Sequence, residues 1–291
     1  MRLLPLRSEH THWLREKAAE DPAQHVFLLS LLELTRTAEV STAAGTLYGL
    51  FSGHDPVAAY WVGGSIISIG ATPETNARVA RMLNVRGRYH CSLIGEHRAV
   101  LDLHHRLEWG APRSIRPDQP LMVASREPEV GPDPGVRVGT IADADAAYAA
   151  AVEMFTEEVG FSPVADGSAG YYGKVRSNLT SCSTLLSMTE TGPDGRPMRD
   201  WPAAGSPRQV VFKADLGIRC REAVQVQGVW VHPDFRGRGL AAPGMVAVTE
   251  HVREHVAPIV SLYVNSFNEP ALRSYERAGF SQVGRFATVM Y

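Results

Sequence analysis

The stretch AVQVQGVWVHPDFRGRGLA, Ala223 to Ala241, decides the fold of the second half of this 291-residue chain. Its first nine residues alternate β-branched or aromatic side chains with polar ones, which is the pattern of a strand. In an unbroken strand Val224, Val226 and Trp230 point to one face, and Gln225, Gln227, Val229 and Val231 to the other. The strand runs through His232-Pro233-Asp234-Phe235 into the turn Arg236-Gly237-Arg238-Gly239. A helix comes next, with Met245, Val248, Val252 and Val256 as its apolar stripe. Pro243 falls in the first helical turn, where a missing N–H costs little.

A glycine-rich turn between a strand and a helix suits a phosphate. The first N–H groups of a helix have no partner inside it, and the helix dipole favours an anion there. Gly237 and Gly239 let the backbone approach a ligand closely. Arg236 and Arg238 can add charge-assisted hydrogen bonds. Taken alone, a Gly-x-Gly is equally a plain turn with solvated arginines. The dinucleotide fingerprint fails for want of a third glycine, and the Walker pattern for want of Gly-Lys-Ser/Thr.

Outward from this stretch, the second half reads as a short strand (136–138), a helix capped near Asp143 and running to about Val159, and a second helix at 171–181. Strands come next at 184–188 and 209–218, separated by a long loop from Thr191 to Pro207. Downstream of the turn come a strand at 259–264, a helix at 269–278 and a final strand at 281–289. The first half shows helices near 9–19 and 22–37, strands at 46–51, 56–62 and 65–69, a helix near 74–83, a strand at 89–94 and a helix near 96–107. Between the halves, Arg126 to Gly135 holds three prolines, two glycines and three acidic residues. Such a run sustains neither a helix nor a central strand. The reading is therefore α/β in the α+β sense, with domains at 1–124 and 136–291 joined by a linker at 125–135. Each half carries β-β-β-α-β-α after its leading helices.

The composition is that of an ordinary globular protein, with 44% hydrophobic and 21% charged residues and a formal net charge of −2. No overall basic character points to nucleic acid or an anionic membrane. Cys91, Cys182 and Cys220 are odd in number and form no CxxC, so neither a disulfide framework nor a metal centre is expected. The start, MRLLPLRSEH, has too short an apolar core for a signal peptide. The expected compartment is the cytoplasm.

The turn and the segment downstream of it resemble the GNAT superfamily of N-acetyltransferases. The family's acetyl-CoA loop, Arg/Gln-x-x-Gly-x-Gly/Ala, is matched by Arg236-Gly237-Arg238-Gly239-Leu240-Ala241. Val231, Pro233 and Phe235 match the residues before it. About 30 residues on, Asn268, Ala271, Tyr275, Gly279 and Phe280 match the family's second cofactor segment. The resemblance covers about 136–291. It implies acetyl-CoA as co-substrate, with the diphosphate on the amides of residues 237 to 241 and the thioester arm along Val229, Trp230 and Val231, where two parallel strands splay. It implies that Asn268 contacts the pantetheine arm, although Asn is also a favoured N-cap. It implies Tyr275 as general acid, although Tyr275 also shares a helix face with Ala271 and Leu272.

The general base is where this chain departs from the family, many of whose members carry a Glu on the strand before the loop. Gln225 and Gln227 stand there instead. Glu157 and Glu158 are the expected candidates, since the family lines its acceptor site with that region. Glu222 and His232 are alternatives, and a water relay needs no side chain at all. The first half has no Arg-x-x-Gly-x-Gly, and its turn Gly70-Ala71-Thr72-Pro73 carries one Gly and no Arg. It resembles the degenerate first half of actinobacterial tandem GNAT proteins. The resemblance implies an N-acetyltransferase acting on a small-molecule or peptide amine in a ternary complex, as a monomer (pseudo-dimer) or a homodimer. A competing expectation is an acyl-CoA-binding regulatory module without catalysis.

Overall fold

Helix-forming and strand-forming stretches recur in one order along both halves of the chain, and the computed structural model shows how the two series join. It describes residues 1–90, 92–160, 162–165, 167–190 and 208–291. The first half contains β1 (Arg2–Pro5), α1 (Thr11–Ala19), α2 (Val26–Thr35), β2 (Ser41–Thr42), β3 (Gly45–Ser52), β4 (Asp55–Gly63), β5 (Ser65–Ile69), α3 (Pro73–Arg86), β6 (Ser92–Glu96), α4 (His97–His105) and β7 (Ser114–Ala124). The second contains β8 (Arg137–Val138), α5 (Ala144–Val159), α6 (Ala169–Thr180), β9 (Thr184–Glu190), β10 (Arg208–Arg219), β11 (Ala223–Val231), α7 (Ala241–His255), β12 (Ile259–Tyr263), α8 (Glu269–Arg277) and β13 (Phe280–Met290). Apart from the small β2, each half is β-α-α-β-β-β-α-β-α-β. The loop expected at Thr191–Pro207 lies outside the described residues.

One sheet runs through both halves, in the order β1-β3-β4-β5-β6-β13-β7-β12-β11-β10-β9-β8. Its centre is an exchange of last strands. β13 of the second half pairs with β6 of the first, with Phe286 opposite Glu96. β7 of the first half pairs with β12 of the second, with Tyr263 opposite Leu121. β7 and β13 also pair with each other. The sequence reading has no strand at 114–124, a stretch that holds Pro117 and Pro120, and proline is seldom found in a central strand. The halves thus form a pseudo-dimer within the chain. Ala287 and Val289 of β13 are buried among Tyr60, Val79, Leu83 and Val100 of the first half.

The parallel strands splay in both halves, not in the second alone. β5 and β6 pair only at Ser65–Ser92 and Ile66–Leu93. β11 and β12 pair from Ala223–Ile259 to Gln225–Ser261 and then part. In the second half α7 and α8 cover a core of Phe212, Val224, Val226, Met245, Val260 and Phe280. A separate core of Ala147, Ala151, Val175, Leu179 and Trp230 lies under α5 and α6. Among the described residues no helix is long and apolar enough to cross a membrane.

The start of α5 is fixed by Asp143. Its carboxylate accepts both N–H groups of the Arg137 fork at 2.8 Å and the Thr140 amide at 2.8 Å. The Arg137 hydrogen bonds, and then those from Thr140, hold the carboxyl down to about 2. The stabilisation is therefore fully present above the unfolded value of about 3.9 and lost as pH falls through the folded one. Asp143→Asn should be less stable than wild type in urea at pH 7, with the difference closing between about pH 4 and pH 2. A gap that stays constant across that range would remove Asp143 as its source.

Candidate active site

β11 does not alternate to its end. Lys213 faces Trp230 across the ladder, but Asp215 faces Gln227, so two steps on β10 match three on β11. This is a β-bulge, and Gly228 at φ 58° carries it. A Cβ on Gly228 would lie 3.0 Å from Asp215 Oδ2 and 3.3 Å from Met154. Beyond the bulge, Val229 and Val231 return to the core that holds Val224 and Val226. Trp230 turns to the other core, under α5 and α6. The expected grouping of Trp230 with Val224 and Val226 is thus reversed, because the extra residue flips the pleat. A glycine inside a strand was the available signal.

The bulge lies where β11 has left β12. From Val226 onward the strand's edge forms no ladder with β12. The main chain of Val229, Trp230 and Val231 therefore borders an open wedge. Gln225 is buried, and its Oε1 accepts the Gln227 amide at 3.2 Å.

The turn beyond the wedge ends at an uncapped helix. Gly237 and Gly239 hold φ values of 74° and 76°, which favour glycine over residues with a Cβ. Nothing lies within 4 Å of the position of a Cβ on Gly237. Leu240 is the N-cap of α7 and offers no side-chain acceptor. The amides of Ala241 and Ala242 thus open α7 without a side-chain partner. The corresponding turn of the first half is closed. There Thr72 caps α3, with Thr75 N donating to Thr72 Oγ1 at 3.3 Å and Thr72 N to Thr75 Oγ1 at 2.8 Å. The fourth residue of α3, Asn76, accepts from Tyr60 and donates to Ala99 O and Asp102 Oδ2, both at 2.9 Å, so it ties α3 to α4. The fourth residue of α7 is Gly244, which lies flat against the Phe212 ring and has no side chain to reach α8.

The arginines of the turn brace it from outside. Arg236 Nε donates to Val231 O at 3.0 Å, and its Nη2 pairs with Glu157 Oε2 at 2.7 Å. Arg238 donates to Asp234 O at 2.8 Å and lies over the Phe235 ring at 5.0 Å. Both guanidinia are therefore engaged by protein groups.

On the other wall, Asn268 caps α8 by accepting from Ala271 N at 3.3 Å. Tyr275 is buried on the same helix, tilted against Phe280 with 6.0 Å between ring centroids. Its hydroxyl makes no hydrogen bond to a described residue. Burial first, and the Glu158 charge second, push its phenol above the ordinary tyrosine range. Tyr263 is raised the same way, by burial and by Glu158, with Arg116 opposing. Glu158 pairs with Arg116 of β7 at 3.0 Å.

The structure thus brings Glu157 to Arg236 of the glycine-rich turn and Glu158 to Arg116, and the Glu158 charge is felt at Tyr275 and Tyr263. It does not bring Glu222, which precedes the opposite end of β11, next to Cys220. His232 is no free base. Its Nδ1 accepts from Asp234 N at 3.2 Å and its Nε2 meets the Gln209 amide. Arg116 and Tyr263 were missed from the sequence. Arg116 lies on the unpredicted β7, and its partner is encoded 42 residues away.

The model of the acetyltransferase (GNAT) family matches residues 209–280, and that of a domain of unknown function, DUF4081, matches residues 45–147. A mycothiol acetyltransferase of Corynebacterium aurimucosum is 44% identical over 57 residues, which are 20% of this chain and 19% of that protein. The match therefore spans about a fifth of that relative's length. A tandem GNAT protein from the clavulanic acid biosynthesis pathway superposes with a TM-score of 0.54 at 14% identity, covering 99% of this chain and 98% of that one. A GCN5-related N-acetyltransferase of Sphaerobacter thermophilus gives 0.58 at 16%, covering 100% and 95%. At such identities the likeness is one of fold, and it extends over both halves. Residues 209–280, which hold β10 to α8, thus carry the match to the acetyltransferase (GNAT) family model.

Proposed function

We propose that this protein is an acetyl-CoA-dependent N-acetyltransferase that transfers the acetyl group directly to a primary amine in a ternary complex. The observation that carries this reading is the uncapped start of α7 at the mouth of the open β11–β12 wedge. Free amides and the helix dipole there suit the CoA diphosphate. The main chain at Val229–Val231, which has no ladder to β12 and whose Val231 oxygen is held by Arg236, suits the amide-bearing pantetheine arm. The acceptor is a small-molecule or peptide amine, and the compartment the cytoplasm. The domain division is 1–124, 125–135 and 136–291, with the first half's capped α3 unsuited to the same ligand.

In the reaction the amine nitrogen bonds to the acetyl carbon and the carbon–sulfur bond breaks. The nitrogen loses a proton to Glu158 or Glu157, and the departing thiolate takes one from the Tyr275 phenol. A second reading, an acyl-CoA-binding module without catalysis, is favoured by the Gln225–Gln227 pair, since two amides bonded to each other accept no proton.

Calorimetry with acetyl-CoA tests the binding half of the claim. Gly239→Asp puts a carboxylate beside the diphosphate position and should weaken binding by about 2 kcal/mol, roughly thirtyfold. Equal binding by both proteins, or none by wild type, removes the basis of the assignment. Thiol release across a panel of amines tests the catalytic half, and silence on every amine with binding intact favours the module.

A further inference from the structure

The strand exchange carries a side chain of the first half into the second half's site. β7 lies beside β12, and Arg116 near its start is opposite Thr288 of β13. From there its guanidinium reaches the end of α5. One arm donates to Glu158 Oε1 at 3.0 Å and the other to the main-chain oxygen of the same residue at 3.3 Å. The Arg116 side chain is 19% exposed and the Glu158 side chain 52%, so the two-pronged geometry, and not burial of the pair, distinguishes this contact.

The contact falls where a helix needs it. α5 ends at Gly160, which is left-handed at φ 85° and donates to Thr156 O at 2.9 Å. The last carbonyls of a helix lack intrahelical partners, and the dipole favours a cation beside them. A planar fork can satisfy the carbonyl and the carboxylate at once, which an ammonium does less well. Glu158 is thereby held by its main chain and its side chain together. Its neighbour Glu157 projects about 100° away around the helix and is held by Arg236 of the cofactor-type turn. The end of α5 is thus tied to the glycine-rich turn at one side of the wedge and to β7, the strand beside β12, and the Glu158 charge helps to raise the Tyr275 and Tyr263 phenols.

We propose that Arg116, a residue of the first half, is a positioning residue of the second half's acceptor site, where it fixes the Glu158 carboxylate. The acceptor site is then composite, and the half without a cofactor-type turn contributes to it through the exchanged strand. The proposal rests on the transferase reading above.

The test is steady-state kinetics on the full chain. The probe is acetyl-CoA with the best acceptor of the amine panel, or acetyl-CoA turnover with water if no amine serves. Arg116→Gln should lower kcat/KM for the acceptor about tenfold or more, since small misplacements of a reacting group are costly. Its acetyl-CoA affinity by calorimetry should stay within about twofold, because the diphosphate side is untouched. Arg116→Lys should fall between the two. Arg116→Gln combined with Glu158→Gln should be no slower than Glu158→Gln alone, because both act through one carboxylate. Full activity of Arg116→Gln overturns the proposal, as do multiplied effects in the double variant. Loss of acetyl-CoA binding in both Arg116 variants also overturns it, since that marks a general structural role. Wild type silent on every amine and on water instead fails the transferase reading, before any variant is compared.

Discussion

Tyr275→Phe is expected to slow acetyl transfer by on the order of 10²-fold while leaving acetyl-CoA binding nearly unchanged. The phenol is buried on α8, and its hydroxyl has no described hydrogen-bond partner, so removing the oxygen orphans no other group. The loss should therefore appear in kcat and not in stability. Burial and the Glu158 charge both raise this phenol, so it stays protonated beyond the ordinary tyrosine value of about 10. A proton donor held that way does not switch off as the solution becomes alkaline. The wild-type rate should show no falling limb with a midpoint near 10. Such a limb, present in wild type and absent in Tyr275→Phe, would mean that the phenol is solvated and not enclosed. An unchanged rate in the variant would end the assignment of Tyr275 as the acid.

The parts of this fold that are local were legible in the sequence. The strand–turn–helix of Ala223 to His255, the Asn268 cap and the helix end at Gly279 each depend on residues a few positions apart. The β7–β13 exchange was not legible, because its pairings join residues far apart in the chain, such as Arg116 and Thr288. β7, which holds prolines at 117 and 120, is a strand because β12 and β13 flank it on either side. The same gap hid Arg116. The bulge at Gly228 lay in between, since the glycine was visible and its effect on Trp230 was not. The difference between the two turns is written in Thr72 and Leu240. A capping threonine closes one helix start, and a leucine leaves the other open. Glu157 and Glu158 are candidates through the family resemblance, since the family lines an acceptor site with that region. Their arginine partners, one in the turn and one in the other half, needed the folded chain.

Gly279→Ala is expected to destabilise the protein by about 3 kcal/mol, adding the cost of a β-carbon at positive φ to that of a backbone collision. Gly279 joins α8 to β13 at φ 88°. A Cβ there would lie 2.4 Å from the Arg126 carbonyl oxygen, and a main-chain atom cannot swing aside as a side chain can. The same glycine's oxygen accepts from Ser125 N at 3.0 Å and Arg126 N at 2.9 Å, so the segment leaving β7 is stitched to the end of α8. Shifting that joint moves the entry of β13. Because Ala287 and Val289 of β13 complete the first half's core, the damage should reach both halves. Gly237→Ala is the control. Its φ of 74° is similar, but nothing lies within 4 Å of the added carbon, so only the conformational cost of about 1 kcal/mol remains. Thermal unfolding of the two variants should separate them, with Gly279→Ala lower by several degrees and its loss of structure common to probes in either half. Equal melting points would mean that the chain at Arg126 yields freely. A loss confined to the second half would mean that β13 does not bind the halves into one folding unit.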